Sequence, residues 1–398
     1  MLAVLIAFLI INVLLYFRQQ LYTAILAGLL IIVLFNPITP GAAFSLFIDS
    51  LTSPMAILLG LIVLLFTAFG NLLKEMGTLT AMVEKLSLVL IDLRVQLAVL
   101  PALMGLMMFP GGAVFSAPLV EEAGTAAELD KNRLVVINIL FRHAAYIIFP
   151  LYATLILLGE ISQISVSSFI AVNIPIFFTF ILMLWLTTFR GVRQPVKPQK
   201  DLKALPAVLY YLSPLLIVLV LALAINLYLP LAILAGILTA LFMNKPSTET
   251  LKVRLLALLK GINWRMAASI VSIIIFKDFL EETQAINSLV DALTAQGIPL
   301  LALALVIPYT VGFITGNHTA AIGISAPLFL SVQPELILYY LSVAFISGLG
   351  GYLGSPIHLC TVFTAEHFKT SLTDAVKHIN FYTVPLVVIT TIIFAIIM

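Results

Sequence analysis

Residues 21–36 read LYTAILAGLLIIVLFN and residues 229–244 read LPLAILAGILTALFMN, with eight identities in sixteen positions. The likeness continues in the same order along the chain, at an offset near 207 residues. The positions that recur are Phe69 and Phe276, Leu73 and Leu280, Glu75 and Glu282, Val83 and Val290, Leu86 and Leu293, Pro101 and Pro308, Gly105 and Gly312, SAPL at 116–119 and 325–328, Tyr146 and Tyr352, and Pro150 and Pro356. Such a repeat is typical of transporters built from two homologous halves. It predicts a first repeat at 1–189, a linker at 190–206 and a second repeat at 207–398.

The composition predicts a membrane protein. Of 398 residues, 62% are hydrophobic and only 10% are charged, which is too few charges to cover a soluble surface. Apolar runs of membrane-spanning length recur, for example at 2–17, 53–73, 169–189 and 381–398. The first run lacks the basic leader and cleavage site of a secretory signal, so we interpret it as a mature helix. We expect an all-α polytopic protein that contacts membrane lipid and does not bind nucleic acid.

Each predicted repeat contains a segment broken by proline and glycine. The segments at 94–120 and 298–330 carry turn residues in their middles, at 109–112 and 315–318, where the bilayer centre would lie. Both are predicted to be re-entrant hairpins. Further breaks are predicted inside the helices at 132–158 and 336–358. The first is expected at 144–150 and the second within the glycine-rich run at 347–356. Each repeat then has five crossings, an odd number, so the second repeat should be inverted.

The distribution of charge supports this topology. Of the 20 Lys and Arg residues, 18 fall on one predicted side, and the exceptions are Arg142 and Lys277. Basic residues accumulate on the cytoplasmic side of membrane proteins. We therefore predict a multi-pass protein of the cytoplasmic membrane with both termini outside.

The paired breaks predict the binding site. Interrupted backbone inside a bilayer must be sheltered from lipid, and in transporters such breaks line the substrate site. Helix N-termini there suit a carboxylate or oxyanion, whereas unwound carbonyls suit Na⁺. Backbone groups of Gly111, Gly112, Asn317 and Gly351 form a candidate Na⁺ site. The predicted substrate-binding residues are Pro110, Gly111, Gly112, Ser116, Arg142, His143, Gly316, Asn317, His318, Thr319, Gly350, Gly351, Ser355 and Pro356.

Arg142 is the predicted intramembrane cation. It follows Arg133 by nine residues, which places it roughly 13 Å deep at 1.5 Å per helical residue. An ionisable residue at that depth is a functional hypothesis. Three roles stay open: binding an anionic substrate, pairing within the fold, or extending toward an interface.

The other polar candidates also have two interpretations each. His143, His318 and His358 either relay protons or make ordinary hydrogen bonds. For the histidines, ordinary hydrogen bonding is the more common case. Ser116, Asn317 and Thr319 either bind a ligand or cap their helices, and neither interpretation is favoured for these three residues.

No cofactor is predicted. Cys360 is the only cysteine, so it gives no internal disulfide and no zinc or iron–sulfur spacing, and we interpret it as a buried apolar side chain. Every carboxylate fits a water-facing segment, which weakens a carboxylate proton relay. Na⁺ or H⁺ is the expected coupling ion.

Three short motifs carry a family resemblance: PGGAVFSAP at 110–118, FRH at 141–143 and FPLY at 149–152. With them the chain resembles an uncharacterised integral-membrane family of the ion transporter superfamily, whose relatives include gluconate, citrate, dicarboxylate and arsenite permeases. The resemblance implies an elevator-type carrier with a mobile hairpin-bearing domain, and a homodimer. Dicarboxylate carriers of that superfamily have Ser-Asn-Thr at both hairpin tips, and this chain does not. Dicarboxylate specificity is therefore not implied.

These observations predict a secondary active transporter, not an enzyme, that moves a small anionic organic solute by alternating access. A cation/proton antiporter of the same superfamily is the alternative within transport, and a channel is a further one. An intramembrane enzyme would need Ser116 with His143 or His318, but neither histidine has an orienting carboxylate nearby in sequence.

Overall fold

The computed structural model describes residues 2–17, 19–90, 92–106, 113–192, 201–283, 297–330 and 334–398, and its regular structure within these ranges is entirely helical. The first half contains α1 (Leu2–Tyr16), α2 (Leu21–Phe35), α3 (Pro40–Leu51), α4 (Pro54–Glu75), α5 (Thr78–Val89), α6 (Leu93–Leu106), α7 (Ala113–Ala126), α8 (Lys131–Val136), a π-helical turn (Ile137–Phe141), α9 (Arg142–Ala144), a 3₁₀ turn (Ala145–Ile147), α10 (Ala153–Ser162) and α11 (Val166–Thr188). The second half contains a 3₁₀ turn (Leu202–Ala204), α12 (Leu205–Leu219), a π-helical turn (Val220–Ala224), α13 (Leu229–Phe242), α14 (Thr248–Lys260), α15 (Trp264–Glu282), α16 (Leu300–Thr315), α17 (His318–Ser325), a 3₁₀ turn (Ala326–Phe329), α18 (Pro334–Gly354), α19 (Leu359–His367) and α20 (Leu372–Ile397).

Six helical segments of the described residues are long and apolar enough to cross a membrane. They are Pro54–Glu75, Val166–Thr188, Leu202–Ala224, Thr248–Glu282, Glu335–His367 and Leu372–Ile397. This confirms the predicted multi-pass membrane protein. Other apolar helices, such as α2 and α13, have 15 and 14 residues, or roughly 22 Å at 1.5 Å per residue, against a hydrocarbon core of about 30 Å. The ten predicted crossings therefore stay a prediction.

Polar caps determine where many of the apolar helices begin. In each case the N-cap side chain accepts a hydrogen bond from an amide in the first turn, an interaction that contributes about 1 kcal/mol. Capping residues of this kind are Thr39, Ser53, Asp130, Ser165, Ser247, Asn263 and Ser371. Each of these helices therefore begins directly after a polar residue.

The predicted hairpin at 298–330 corresponds to α16 and α17, which pack against each other. α16 ends at Gly316, whose φ of +57° is a left-handed conformation that favours glycine. Asn317 follows as the N-cap of α17, with its side-chain oxygen 3.0 Å from the Ala320 amide. α17 has eight residues and is roughly 12 Å long, too short to cross a bilayer alone.

The first predicted hairpin, at 94–120, corresponds to α6 and α7, which also pack against each other. At the start of α6, Asp92 accepts a hydrogen bond from the Arg94 guanidinium at 2.6 Å, and this bond lowers the pKa of the Asp92 carboxyl. The predicted tip at 109–112 lies outside the described residues.

The glycines of the run at 347–356 do not break their helix, which corrects the predicted position of the break. α18 continues through Gly350 and Gly351 to Gly354, and the interruption comes at 355–358. The glycines serve packing instead, because a Cβ at Gly351 would overlap the Tyr309 carbonyl of α16. Small residues allow this close approach of helices in membranes. The interruption at 355–358 therefore shares Ser355 and Pro356 with the predicted run, whereas the glycines before them lie within α18.

Candidate functional site

A cavity of about 250 Å³ lies where the two interrupted helices meet the turn of the second hairpin. Its walls come from α4, from residues 142–154 around the first interruption, from the turn at 316–319, from residues 352–360 around the second interruption, and from Met266 of α15. Segments far apart in sequence thus form one site, which the predicted convergence of broken helices requires.

Among the described residues that line this cavity, Arg142 is the one Lys, Arg, Asp or Glu. Only 1% of its surface is exposed, and its Nε and Nη1 atoms have no hydrogen-bond partner within the described part of the chain. A Cβ at Gly105 would overlap the Arg142 carbonyl, so glycine is what lets α6 lie against this residue. A buried cation without a partner costs several kcal/mol. An anionic ligand in the cavity would remove that cost.

Three helices begin at the cavity, and their first two residues line it. These residues are Ala153 and Thr154 of α10, His318 and Thr319 of α17, and Leu359 and Cys360 of α19. The first amides of a helix have no acceptor within the helix, and together they carry about half a positive charge. The N-cap residues of α10 and α19, Tyr152 and His358, make no side-chain cap. The cavity is therefore electropositive from backbone as well as from Arg142.

His318 holds the second hairpin against the first interruption. Its Nε2 donates to the Phe345 carbonyl at 2.9 Å, so its Nδ1 accepts from the Tyr152 hydroxyl, also at 2.9 Å. The hydroxyls of Thr319 and Thr154 lie 2.9 Å apart beside this contact. Both ring nitrogens of His318 therefore have partners in the protein, which favours the hydrogen-bonding interpretation of this residue over proton relay.

His143 and His358 lie side by side on another wall. Their ring centroids are 5.1 Å apart, and both rings contact Tyr352. His143 Nδ1 donates to the Ile139 carbonyl at 2.7 Å, and His358 Nδ1 lies 3.1 Å from the Thr361 hydroxyl. Buried His358 Nε2 has no hydrogen-bond partner among the described residues.

The cavity brings together part of the predicted residue set. Those that line it are Arg142, His143, Gly316, Asn317, His318 and Thr319. Asn317 lines it while also capping α17, so the two interpretations weighed for this residue are compatible. Three predicted residues, Pro110, Gly111 and Gly112, lie outside the described residues.

Other predicted residues lie elsewhere. Ser116 is buried, with its hydroxyl 3.3 Å from the Ala113 carbonyl. Ser355 donates to the Phe313 carbonyl at 2.6 Å. Gly351 packs against Tyr309 of α16 and Gly350 against Val387 of α20, and neither glycine lines the cavity that Asn317 lines. The candidate Na⁺ site is therefore not assembled by Gly351 and Asn317.

Several cavity residues were not predicted from the sequence. They are Tyr146, Tyr152, Thr154, Tyr352 and Cys360, together with Ile62, Val63, Phe66 and Thr67 of α4. The tyrosines and Thr154 lie within a few residues of the two interruptions. Polar and aromatic residues directly beside a helix break are the signal that could have identified them.

A second cavity, of about 740 Å³, adjoins the first and shares with it the wall residues Met266, Asn317, Thr319 and Leu359. It reaches Gln19, Gln20 and Arg265, and the predicted residue Pro356 lines it. The larger cavity forms an approach to the site from the end of the molecule that carries Gln19 and Arg265.

Comparison with curated proteins gives no match. A family model described as "Protein of unknown function (DUF401)" matches residues 1–398, so the chain belongs to this family.

Proposed function

We propose that this protein is a secondary active transporter that moves a small organic anion through the cavity around Arg142 by alternating access. One observation carries the proposal: a buried guanidinium, two of whose nitrogens have no partner among the described residues, lines the cavity where three helix N-termini converge. Such groups bind carboxylates and other oxyanions. The cavity volume of about 250 Å³ suits a small solute, because pockets for drug-sized ligands have volumes of about 300–1,000 Å³.

The helix contacts support two inverted repeats. α2 packs against α15 of the other half, and α13 packs against α4. In the same way α3 packs against α15 and α14 against α4, while α7 packs against α19 and α17 against α10. Each contact has a counterpart with the halves exchanged, which is the pattern that a pseudo-two-fold axis produces. Inverted repeats related by such an axis are common in secondary transporters.

The adjoining cavities support alternating access. The larger cavity leads to Gln19 and Arg265, which belong to the side that the positive-inside pattern predicts to be cytoplasmic. In our proposal this is the inward-open state. Movement of the hairpin α16–α17 with the interrupted helices then closes this approach, as in the elevator mechanism that the family resemblance implies, with Na⁺ or H⁺ as the coupling ion and a homodimer as the assembly.

The cavity disfavours two alternative functions, one through its charge and the other through its lining residues. A cation/proton antiporter needs a site that attracts cations, whereas the described lining carries Arg142 and no carboxylate. An intramembrane enzyme with Ser116 as nucleophile needs that hydroxyl beside a histidine, whereas Ser116 does not belong to the cavity that holds His143 and His318.

Ligand-dependent thermal stability of the purified protein tests the proposal. A ligand at 100 times its Kd stabilises the folded state by about 2.7 kcal/mol. We expect one or more small carboxylates, tested with and without Na⁺, to raise the melting temperature of the wild type, and Arg142→Gln to lose this shift. Arg133→Gln is the matched control, because that arginine is half-buried and does not line the cavity. An equal shift in Arg142→Gln would remove the residue from binding, and no shift with any anion would refute the anion site.

A further inference from the structure

Three metal-ligand side chains form a cluster in the cavity wall. They are His143, His358 and Cys360, all buried, and their ligand atoms lie within 4.8 Å of one another. The spacing of His143 from the other two along the chain hides this cluster in the sequence. This cluster differs chemically from the Arg142 guanidinium. Neutral imidazole nitrogens and a thiolate bind metal ions, whereas a guanidinium binds anions.

The hydrogen bond of His143 leaves Nε2 as its ligand atom, and Nε2 of His358 is available when its Nδ1 donates to the Thr361 hydroxyl. Since a carbonyl only accepts, the 2.7 Å bond to Ile139 places the proton of His143 on Nδ1 and leaves the lone pair on Nε2. His358 engages Nδ1 with Thr361, and its buried Nε2 has no partner in the described chain. A metal-binding histidine typically has its second nitrogen held in this way, which fixes the tautomer and the ring orientation.

We propose that His143 Nε2, His358 Nε2 and Cys360 Sγ bind one soft monovalent metal ion of the Cu(I) class. Binding releases the thiol proton to water and forms one metal–sulfur and two metal–nitrogen bonds, with no change of oxidation state. Thiolate with imidazole is a ligand set that selects such soft ions. Cys360 is the second residue of α19, and a helix N-terminus stabilises a thiolate bound there.

Charge decides between a monovalent and a divalent ion. A monovalent ion with one thiolate is neutral, so it adds no charge beside the buried Arg142 guanidinium. A divalent ion would leave one more positive charge in the same buried cavity, where like charges repel strongly. The site can therefore hold a monovalent metal without opposing the anion site.

The geometry requires a small closure. With bond lengths of about 2.0 Å to nitrogen and 2.3 Å to sulfur, the ligand atoms of a trigonal site lie roughly 3.5 Å apart. One ring nitrogen of each histidine and the Cys360 thiol lie within 4.8 Å of one another. A closure of about an ångström, through new rotamers of Cys360 and His358, then completes the site.

A competition titration tests the site. The purified full-length chain is titrated anaerobically with Cu(I) against a chromophoric Cu(I) chelator. We expect one Cu(I) per chain, and at least about a 100-fold loss of affinity in Cys360→Ser and in His358→Gln, since loss of a direct ligand should exceed the effect of losing an outer-shell partner. His378→Gln, which changes an exposed histidine on α20, should keep wild-type affinity. Transport plays no part in this readout, so its result is independent of the proposed function.

A second measurement needs no change to the ligands. Cys360 is the only thiol, so maleimide labelling of the wild type reports on this residue alone. In a chelator-buffered solution we expect Cu(I) to block labelling, because a lone thiol would lose the ion to the chelator. Full labelling under that buffer, retention of Cu(I) by Cys360→Ser, or stoichiometric Zn(II) binding that Cys360→Ser abolishes would each overturn the proposal.

Discussion

At the scale of single residues, the environment of Arg142 explains why this side chain should destabilise the ligand-free protein. The guanidinium is 1% exposed, and two of its nitrogen atoms have no partner among the described residues. The buried guanidinium lowers the stability of the ligand-free protein. The same missing interactions favour the binding of an anion, because the anion supplies them.

We predict that Arg142→Met stabilises the ligand-free protein. Replacing a buried ion by an apolar side chain of similar volume stabilises proteins by about 1–4 kcal/mol in comparable cases. The melting temperature without ligand should rise by roughly 2–5 °C, as measured by thermal unfolding in detergent. A fall of similar size would show that Arg142 has a partner within the fold and a structural role.

The single cation also predicts the charge of the solute. One guanidinium balances one negative charge, and a second carboxylate in the cavity would be buried without a cation, since Arg142 alone among its lining residues carries a full charge. We expect monocarboxylates to bind at least tenfold more tightly than dicarboxylates of similar size, which isothermal titration can measure. Tighter binding of the dicarboxylates would contradict this charge balance.

The sequence was sufficient to predict that Arg142 is buried, because an arginine within an apolar helix is rare whatever the tertiary structure. It was not sufficient for Tyr152, which is 166 residues from its partner His318. The same holds for the contact of His143 with His358, which depends on how the two halves pack. Local patterns report depth and composition, whereas these pairs depend on tertiary contacts.

At the scale of helices, the glycines of α18 have a packing role. Gly312 of α16 faces the Gly348 carbonyl, and Gly351 faces the Tyr309 carbonyl, so the two helices approach at backbone distance. Hydrogen bonds from Ser347 to the Leu305 carbonyl join the same surfaces. Glycine occurs both at helix breaks and where helices pack closely. Only the tertiary contacts show which of the two applies here.

We therefore predict that Gly351→Ala destabilises the protein without selective loss of ligand binding. The added methyl group overlaps the Tyr309 carbonyl, and overpacking of this kind costs about 1–3 kcal/mol. Thermal unfolding should show a lower melting temperature, while the ligand-induced shift persists. Gly41→Ala is the control and should be neutral, because a Cβ at that position has no atom within 4 Å.

The interruptions themselves differ in how well the sequence predicts them. The first predicted break, at 144–150, coincides with the 3₁₀ turn at 145–147 and the irregular backbone before α10, where Pro150 lacks the amide that a helical hydrogen bond needs. The second lies at 355–358 and contains Pro356. Prolines such as Pro101 and Pro308 lie inside helices, so proline alone does not identify a break.

At the scale of the whole molecule, the topology makes the side of each cavity testable. Gln19 borders the larger cavity, whereas Asp49 borders a separate depression with Glu282. The positive-inside pattern assigns the first to the cytoplasm and the second to the outside.

In a Cys360→Ser background, we expect a membrane-impermeant thiol reagent applied to intact cells to label Asp49→Cys. Gln19→Cys should be labelled only after the cells are opened. Labelling of Gln19→Cys in intact cells, with Asp49→Cys protected, would invert the topology and place the open cavity on the outside.

Counterflow in proteoliposomes tests the central claim, that the cavity around Arg142 carries an organic anion by alternating access. Vesicles are preloaded with the monocarboxylate that gives the largest thermal shift, and uptake of a trace of labelled solute is followed. We predict that the wild type accumulates label transiently and that Arg142→Gln does not, whereas Arg133→Gln behaves as the wild type. Uptake without counterflow would indicate a channel, and equal counterflow in Arg142→Gln would contradict the proposed site.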